Sequence, residues 1–131
     1  MRTLLIVKPG WAERPGLLFR IGSMMHKYGL GVSLHHTSKP SREFWEKFYS
    51  SHVQKSYFEN MIEHLMYSSC IFIIFEGEDA VKRVRDWVVK IRSHYNKSSK
   101  DTDNVMHASD MEESAKKEIE FVIEFITKSR L

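Results

Sequence analysis

Asn104, His107, Ser109 and Asp110 stand together in one stretch, Asn104-Val105-Met106-His107-Ala108-Ser109-Asp110, and Glu118 follows shortly after. A held imidazole can serve as base, metal ligand or nucleophile near neutral pH. The stretch reads as a loop that runs into a helix. Ser109 and Glu112 have the Ser-x-x-Glu spacing of a capping box, in which each side chain satisfies a free backbone N–H. Asp110 adds negative charge where the helix dipole favours it. Met111, Ala115, Ile119, Val122 and Ile126 recur at the spacing of one apolar helical face. His107 is therefore expected in a loop just ahead of a rigid, capped element.

Other residues could join it. Lys8 sits where an apolar run ends, and Tyr49 and Tyr57 flank the middle of the chain. Arg85 lies on a long helical segment, with Arg92 expected just past its end. Strand ends and loops in layered folds gather at shared crevices. There, arginine forks and a lysine ammonium would bind phosphate, and a tyrosine ring would stack on a base. Taken singly, each has a plainer reading. Arg85 and Arg92 fit one solvated basic helix side. Tyr57 beside Phe58 fits core filler, Lys8 an ordinary strand-end lysine and Glu118 a surface helix charge. The other six histidines show no metal-ligand spacing and are expected to be structural.

These residues need elements to carry them. Thr3 to Val7 predicts a buried strand, closed by Lys8-Pro9-Gly10. A helix follows from about Pro15 to Tyr28, with Gly29 as its stop. Val32 to Thr37 alternates as a second strand. Ser41 opens a helix through Phe48, and Tyr57 to Met66 forms another. Cys70 to Phe75 is the most apolar strand and is expected to be central. Asp79 caps a long helix whose Val81, Val84, Val88 and Ile91 face inward. A polar loop, Tyr95 to Asp103, leads to the His107 segment and the last helix, whose end from Thr127 is expected to fray. The pattern implies an α+β sandwich, a small sheet with helices covering one face. A fourth, edge strand is expected around His94-Tyr95.

The 131 residues suit one domain, with 42% hydrophobic and 28% charged residues. The net charge of +3 allows an anionic ligand but does not choose one. The lone cysteine, Cys70, excludes an internal disulfide and reads as a small buried strand residue. No apolar run is long enough to cross a bilayer. There is no Gly-rich phosphate loop and no nucleophile-elbow serine.

The segment Asn104-Val-Met-His107-Ala-Ser109-Asp110, followed by Ser114-Ala115 and Glu118-Ile119, resembles the active-site signature of nucleoside diphosphate kinases. That family usually has Asn-x-x-His-Gly-Ser-Asp and then Ser-Ala-x-x-Glu-Ile; Ala108 replaces the glycine here. Thr3 to Lys8-Pro9, Phe48-Tyr49, Tyr57-Phe58, Phe75-Glu76-Gly77 and Ile91-Arg92 are also similar, so the likeness runs from Thr3 to about Phe125. Residues 1–131 are then expected to form a single domain of that kind, a ferredoxin-like α+β sandwich with a small antiparallel sheet covered by helices. The resemblance implies a ping-pong kinase in which His107 carries phosphate from a nucleoside triphosphate to a nucleoside diphosphate. Glu118 and Ser109 would hold its imidazole, and Tyr49 would lie beside the travelling phosphate. Lys8, Arg85, Arg92 and Asn104 would contact phosphates and ribose. Tyr57 would stack on the base, with Met61 lining the other side. Mg²⁺ would arrive on the nucleotide phosphates rather than on protein ligands. A homo-oligomer is implied, with a dimer as basic unit and a tetramer or hexamer above it; the sequence shows no address signal, so the cytoplasm is the default expectation. No membrane is expected, nor nucleic acid as the primary partner.

The chain departs from the family in three ways. Lys8-Pro9-Gly10-Trp11 replaces Lys-Pro-Asp-Gly. The family's Gly-Glu-Thr-Asn-Pro loop is absent between Arg85 and Arg92, and with it a phosphate-contacting threonine. These differences motivate an alternative, a catalytically weak nucleotide-binding scaffold of the same fold.

Overall fold

The computed structural model describes residues 1–12, 14–95 and 105–129. Its element order is β1 (Arg2–Val7), α1 (Pro15–Tyr28), β2 (Gly31–Ser38), α2 (Arg42–Phe48), a 3-10 turn (Ser50–His52), α3 (Phe58–Leu65), β3 (Cys70–Glu76), α4 (Ala80–Tyr95), β4 (Met106–Ala108) and α5 (Glu112–Ser129). The four strands lie in the order β2-β3-β1-β4. Every pairing is antiparallel, the ferredoxin-like arrangement.

The two central strands are apolar on both sides. In β1, Leu4 to Val7 are all fully buried, and β3 is buried from Cys70 to Phe75. A strand buried on both faces needs a layer on each side. Leu5, Val7, Ile71, Ile73 and Phe75 pack against α1 and α4 through Leu17, Ile21, Val84 and Val88. Leu4, Ile6, Phe72 and Ile74 pack against α2, α3 and α5 through Phe44, Trp45, Ile62 and Ile119. Helices thus cover both faces, not one. Alternation along β1 divides its side chains between the two layers.

Local signals set most boundaries. Pro15 opens α1, and Gly29 closes it in the left-handed conformation (φ 64°), its N–H donating to the His26 and Met25 carbonyls. The Ser41 side chain accepts from the Phe44 N–H at the start of α2. β2 is an edge strand with a register shift between Val32 and Leu34, and most of its residues are exposed.

Three expectations about the C-terminal third are corrected. The fourth strand is not at His94-Tyr95, where α4 continues; it is β4, and it contains His107. Arg92 lies within α4 rather than beyond it. The last helix starts at Glu112 and runs to Ser129, so Thr127 to Ser129 are helical. Of the polar loop expected from Tyr95 to Asp103, Tyr95 instead ends α4 and residues 96–103 lie outside the described residues.

Candidate active site

β4 is short because it exists only by pairing with β1. Ile6 faces His107 and Val7 faces Met106 across the ladder. The Lys8 N–H donates to the Val105 carbonyl at 3.0 Å, and the Ser109 N–H to the Leu4 carbonyl at 3.1 Å, extending the register beyond both ends. His107 therefore rides a strand edge that is fixed to the middle of the sheet. Leu4, Ile6 and Lys8 alternate onto one side of β1, the side that carries the aromatic layer.

The imidazole is held from α5. Its Nε2 lies 3.1 Å from Glu118 Oε1, and Ser109 Oγ donates to the same oxygen at 2.7 Å. A carboxylate can only accept, so Nε2 is the donor in this contact, and Nδ1 is the ring nitrogen left to bear a lone pair. The fully buried Ser109 also receives the Leu4 N–H at 3.4 Å. Its hydroxyl is thus committed to Glu118 and to β1. The capping-box expectation fails for that reason, since the helix begins three residues later. Asp110 instead accepts from Ser114 Oγ at 2.5 Å, which holds its carboxyl below the usual range. Met111, expected on the apolar face, is 56% exposed, whereas Ala115, Ile119, Val122 and Ile126 are buried.

Aromatic rings complete the setting. Phe48 and Tyr49 meet the His107 ring edge-on, with centroids 5.4 and 6.0 Å away. Tyr49 closes the end of α2 and is only 7% exposed. Its hydroxyl is buried without a hydrogen-bond partner. Burial pushes its pKa far up, and the Glu118 charge adds to the rise. Lys8 Nζ stands 5.9 Å over the Tyr49 ring, within range of a cation–π contact. Arg92 donates through Nε and Nη2 to the Met106 carbonyl, at 3.3 and 2.9 Å. It thereby anchors the strand residue just before His107.

His107, Glu118, Tyr49, Phe48, His52 and Arg85 line one open cavity of about 320 Å³, together with Ser51, Ala108, Asp110, Met111 and Ser114. That volume is in the range that small-molecule sites occupy. Of the expected site residues, His107, Glu118, Tyr49 and Arg85 line this cavity; Ser109, Lys8 and Arg92 do not, but contact Glu118, the Tyr49 ring and the Met106 carbonyl respectively. Tyr57 lies outside the cavity wall and is half-buried, its hydroxyl 2.6 Å from His52 Nδ1. Met61 is 4% exposed and is a core residue here rather than a wall. Asn104 lies outside the described residues. His52, whose sequence context reads as structural, lines the cavity. Its place three residues after Tyr49 and five before Tyr57 was the available signal. Among the described residues, no group of three or more His, Cys, Asp or Glu could hold a metal ion.

An imidazole backed by a carboxylate, with the Arg85 guanidinium lining the same cavity, suits transfer of an anionic group. Residues 1–126 match the family model described as nucleoside diphosphate kinase. The chain belongs to the nucleoside diphosphate kinase family. It is an enzyme of that family, acting in phosphoryl transfer between nucleotides. A nucleoside diphosphate kinase of Erythrobacter litoralis is 35% identical, over 92% of this chain and 91% of that protein. One from Saccharolobus islandicus is 32% identical, over 99% and 97%. The crystal structure of the Aquifex aeolicus nucleoside diphosphate kinase superposes with a TM-score of 0.80 at 28% identity, covering 92% of this chain and 93% of that one. Among the described residues, no helix is long and apolar enough to cross a membrane.

Proposed function

We propose that the 131 residues form one catalytic domain that moves the γ-phosphate of a nucleoside triphosphate to a nucleoside diphosphate through a phosphohistidine at His107. The observation that carries this reading is the chain Ser109–Glu118–His107, which fixes the proton on Nε2 and leaves Nδ1 as the attacking atom. In the first step, the Nδ1 lone pair forms a bond to the γ-phosphorus. The bond from that phosphorus to the bridging oxygen breaks, and its electron pair leaves with the diphosphate. Glu118 shares the positive charge that develops on the ring. In the second step, a terminal oxygen of the acceptor diphosphate attacks the phosphorus. The N–P bond breaks, and its electron pair returns to Nδ1. One transfer thus becomes two easier ones.

Phosphoryl transfer depends chiefly on alignment and charge stabilisation. Arg85 in the cavity wall, with Lys8 beside Tyr49 and Arg92 beside β4, supplies positive charge, and the family likeness assigns Asn104 to ribose or phosphate. The unpartnered Tyr49 hydroxyl donates to the phosphoryl group, which gives a buried polar atom the partner it lacks. Tyr57 stacks on the base, with Met61 supporting that wall from the core. Stacking reads no base edge, so little base preference follows.

Among the described residues the cavity is lined by one guanidinium, Arg85, and by two carboxylates that already have partners, Glu118 with His107 and Ser109 and Asp110 with Ser114, which fits a metal delivered on phosphate better than one caged by protein. Bound Mg²⁺ would neutralise the nucleotide's phosphates, with Asp110 able to hold one of its waters. We place the protein in the cytoplasm as a homo-oligomer built on a dimer.

Incubation with γ-labelled ATP tests the reading. Wild type should become an acid-labile, base-stable phosphoprotein, and His107→Ala should carry no label. Absence of label on well-folded wild type would favour the nucleotide-binding scaffold.

A further inference from the structure

The segment between α2 and α3 joins the cavity to Tyr57, and His52 sits at its middle. Its backbone is fixed on both sides. The His52 N–H donates to the Tyr49 carbonyl at 2.9 Å, and its carbonyl accepts from Lys55 N–H at 2.9 Å. The Phe58 N–H then donates to the Lys55 carbonyl at 3.1 Å, so tight turns run without a break from Tyr49 to the start of α3. The His52 ring packs edge-on against Tyr49, centroids 5.7 Å apart, and lines the cavity that holds His107. Its Nδ1 meets the Tyr57 hydroxyl at 2.6 Å, and the two rings lie 5.8 Å apart. Tyr57 has no capping side-chain bond of its own at the head of α3.

We propose that His52 is a positioning residue for the nucleotide: its hydrogen bond fixes the plane of the Tyr57 ring on which the nucleobase stacks, and ties that ring to Tyr49 at the phosphate end. This rests on the kinase reading above. A half-buried tyrosine ring left untied would have to be ordered when the base arrives. Ordering it beforehand removes that cost from binding. The effect belongs to affinity, because the base lies far from the reacting phosphorus and the same stacking acts in the ground state and the transition state. A hydrogen bond to Tyr57 also accounts for a polar side chain in a ring-lined wall, where an aliphatic residue would pack as well.

The test uses the full chain with ADP as probe, measuring steady-state KM and kcat as acceptor and Kd by calorimetry. His52→Leu removes the bond but keeps bulk; Tyr57→Phe removes the hydroxyl but keeps the ring. Each should raise KM and Kd about three- to tenfold, with kcat falling less than about twofold. The double variant should be no worse than either single one, because both remove the same bond. His52→Asn, whose amide can reach the place of Nδ1, should recover most of the affinity.

Unchanged Kd and KM in both single variants, additive losses, or a loss confined to kcat would overturn the proposal. Wild type that turns over with a flat variant series refutes His52's role alone. Wild type that binds ADP without turnover refutes the kinase reading, and the Kd series still decides His52. Wild type that binds no ADP refutes both. Melting temperatures of the variants, expected near wild type, confirm that folded proteins are compared.

Discussion

On one side of the sheet, Leu5, Val7, Ile71 and Ile73 meet Leu17, Ile21, Val84 and Val88. On the other, Leu4, Ile6, Phe72 and Ile74 meet Phe44, Trp45, Tyr49 and Phe58. The first layer is mainly branched aliphatic packing. The second is a ring network in which Phe44 alone contacts Trp45, Phe48, Phe72, Phe121 and Phe125. Aliphatic side chains fill space and carry no polar atoms. Aromatic ones give flat, stiff walls and bring polar tips inside. Here two of those tips, Tyr49 Oη and Trp45 Nε1, are buried without hydrogen-bond partners. Each such group costs stability unless something binds to it. The site grows from the ring layer, where Phe48 and Tyr49 hold His107 edge-on. The ring layer thus gives up some stability to bring Tyr49 Oη to the His107 cavity, and the aliphatic face gives some up only at Thr3, whose buried hydroxyl also lacks a partner among the described residues.

Substitutions on the two layers should separate these roles. The largest effect is expected at Glu118→Gln, which keeps the shape but removes the charge that backs His107. Its kcat should fall about 10³-fold, near 4 kcal/mol in the barrier, with the melting temperature little changed. A loss under tenfold would mean that Glu118 only orients the ring. Next, Leu17→Ala in the aliphatic layer should cost about 3 kcal/mol in chemical denaturation, through lost burial and a cavity. Its kcat at a temperature where it is folded should match wild type. A parallel drop in kcat would show that the layers are not separable. The smallest effect is expected at Tyr49→Phe, and it should go in two directions. Removal of an unpartnered buried hydroxyl should stabilise the free protein by about 1 kcal/mol. The same change should lower kcat about tenfold by removing a donor to the phosphoryl group. Loss of stability in that variant would mean that the hydroxyl has a partner in solution.

Much of this division was legible in the chain. Leu4 to Val7 and Cys70 to Phe75 are apolar at every position, and a strand without alternation asks for cover on both faces. That signal was present for the two-sided layering even though one face was expected. Cys70 is the buried strand residue its neighbours implied, its thiol pushed up to about 12 by burial. Gly29 and Ser41 ended and began helices as their chemistry requires.

The misreadings share one physical cause, which is competition from distant partners. Met106-His107-Ala108 has no strand pattern of its own and becomes β4 only through β1. The exception is the edge strand expected at His94-Tyr95, which fails for a local reason, since α4 continues through both residues. Ser109 has the spacing of a cap, yet its hydroxyl is taken by Glu118 and the Leu4 N–H. His52 became visible as a cavity residue only once the turns linking Tyr49 to Phe58 brought it between two tyrosines. Local spacing marked the residues of the candidate site; the sheet register decided how they are held.

The central claim is that His107 is a true relay rather than a dead-end acceptor. Wild type labelled with γ-labelled ATP and freed of nucleotide should be chased with unlabelled GDP in a rapid-quench experiment. The label is expected to leave the protein and appear in GTP at least as fast as steady-state turnover. Label that stays on the protein, or leaves more slowly than turnover, would contradict the mechanism.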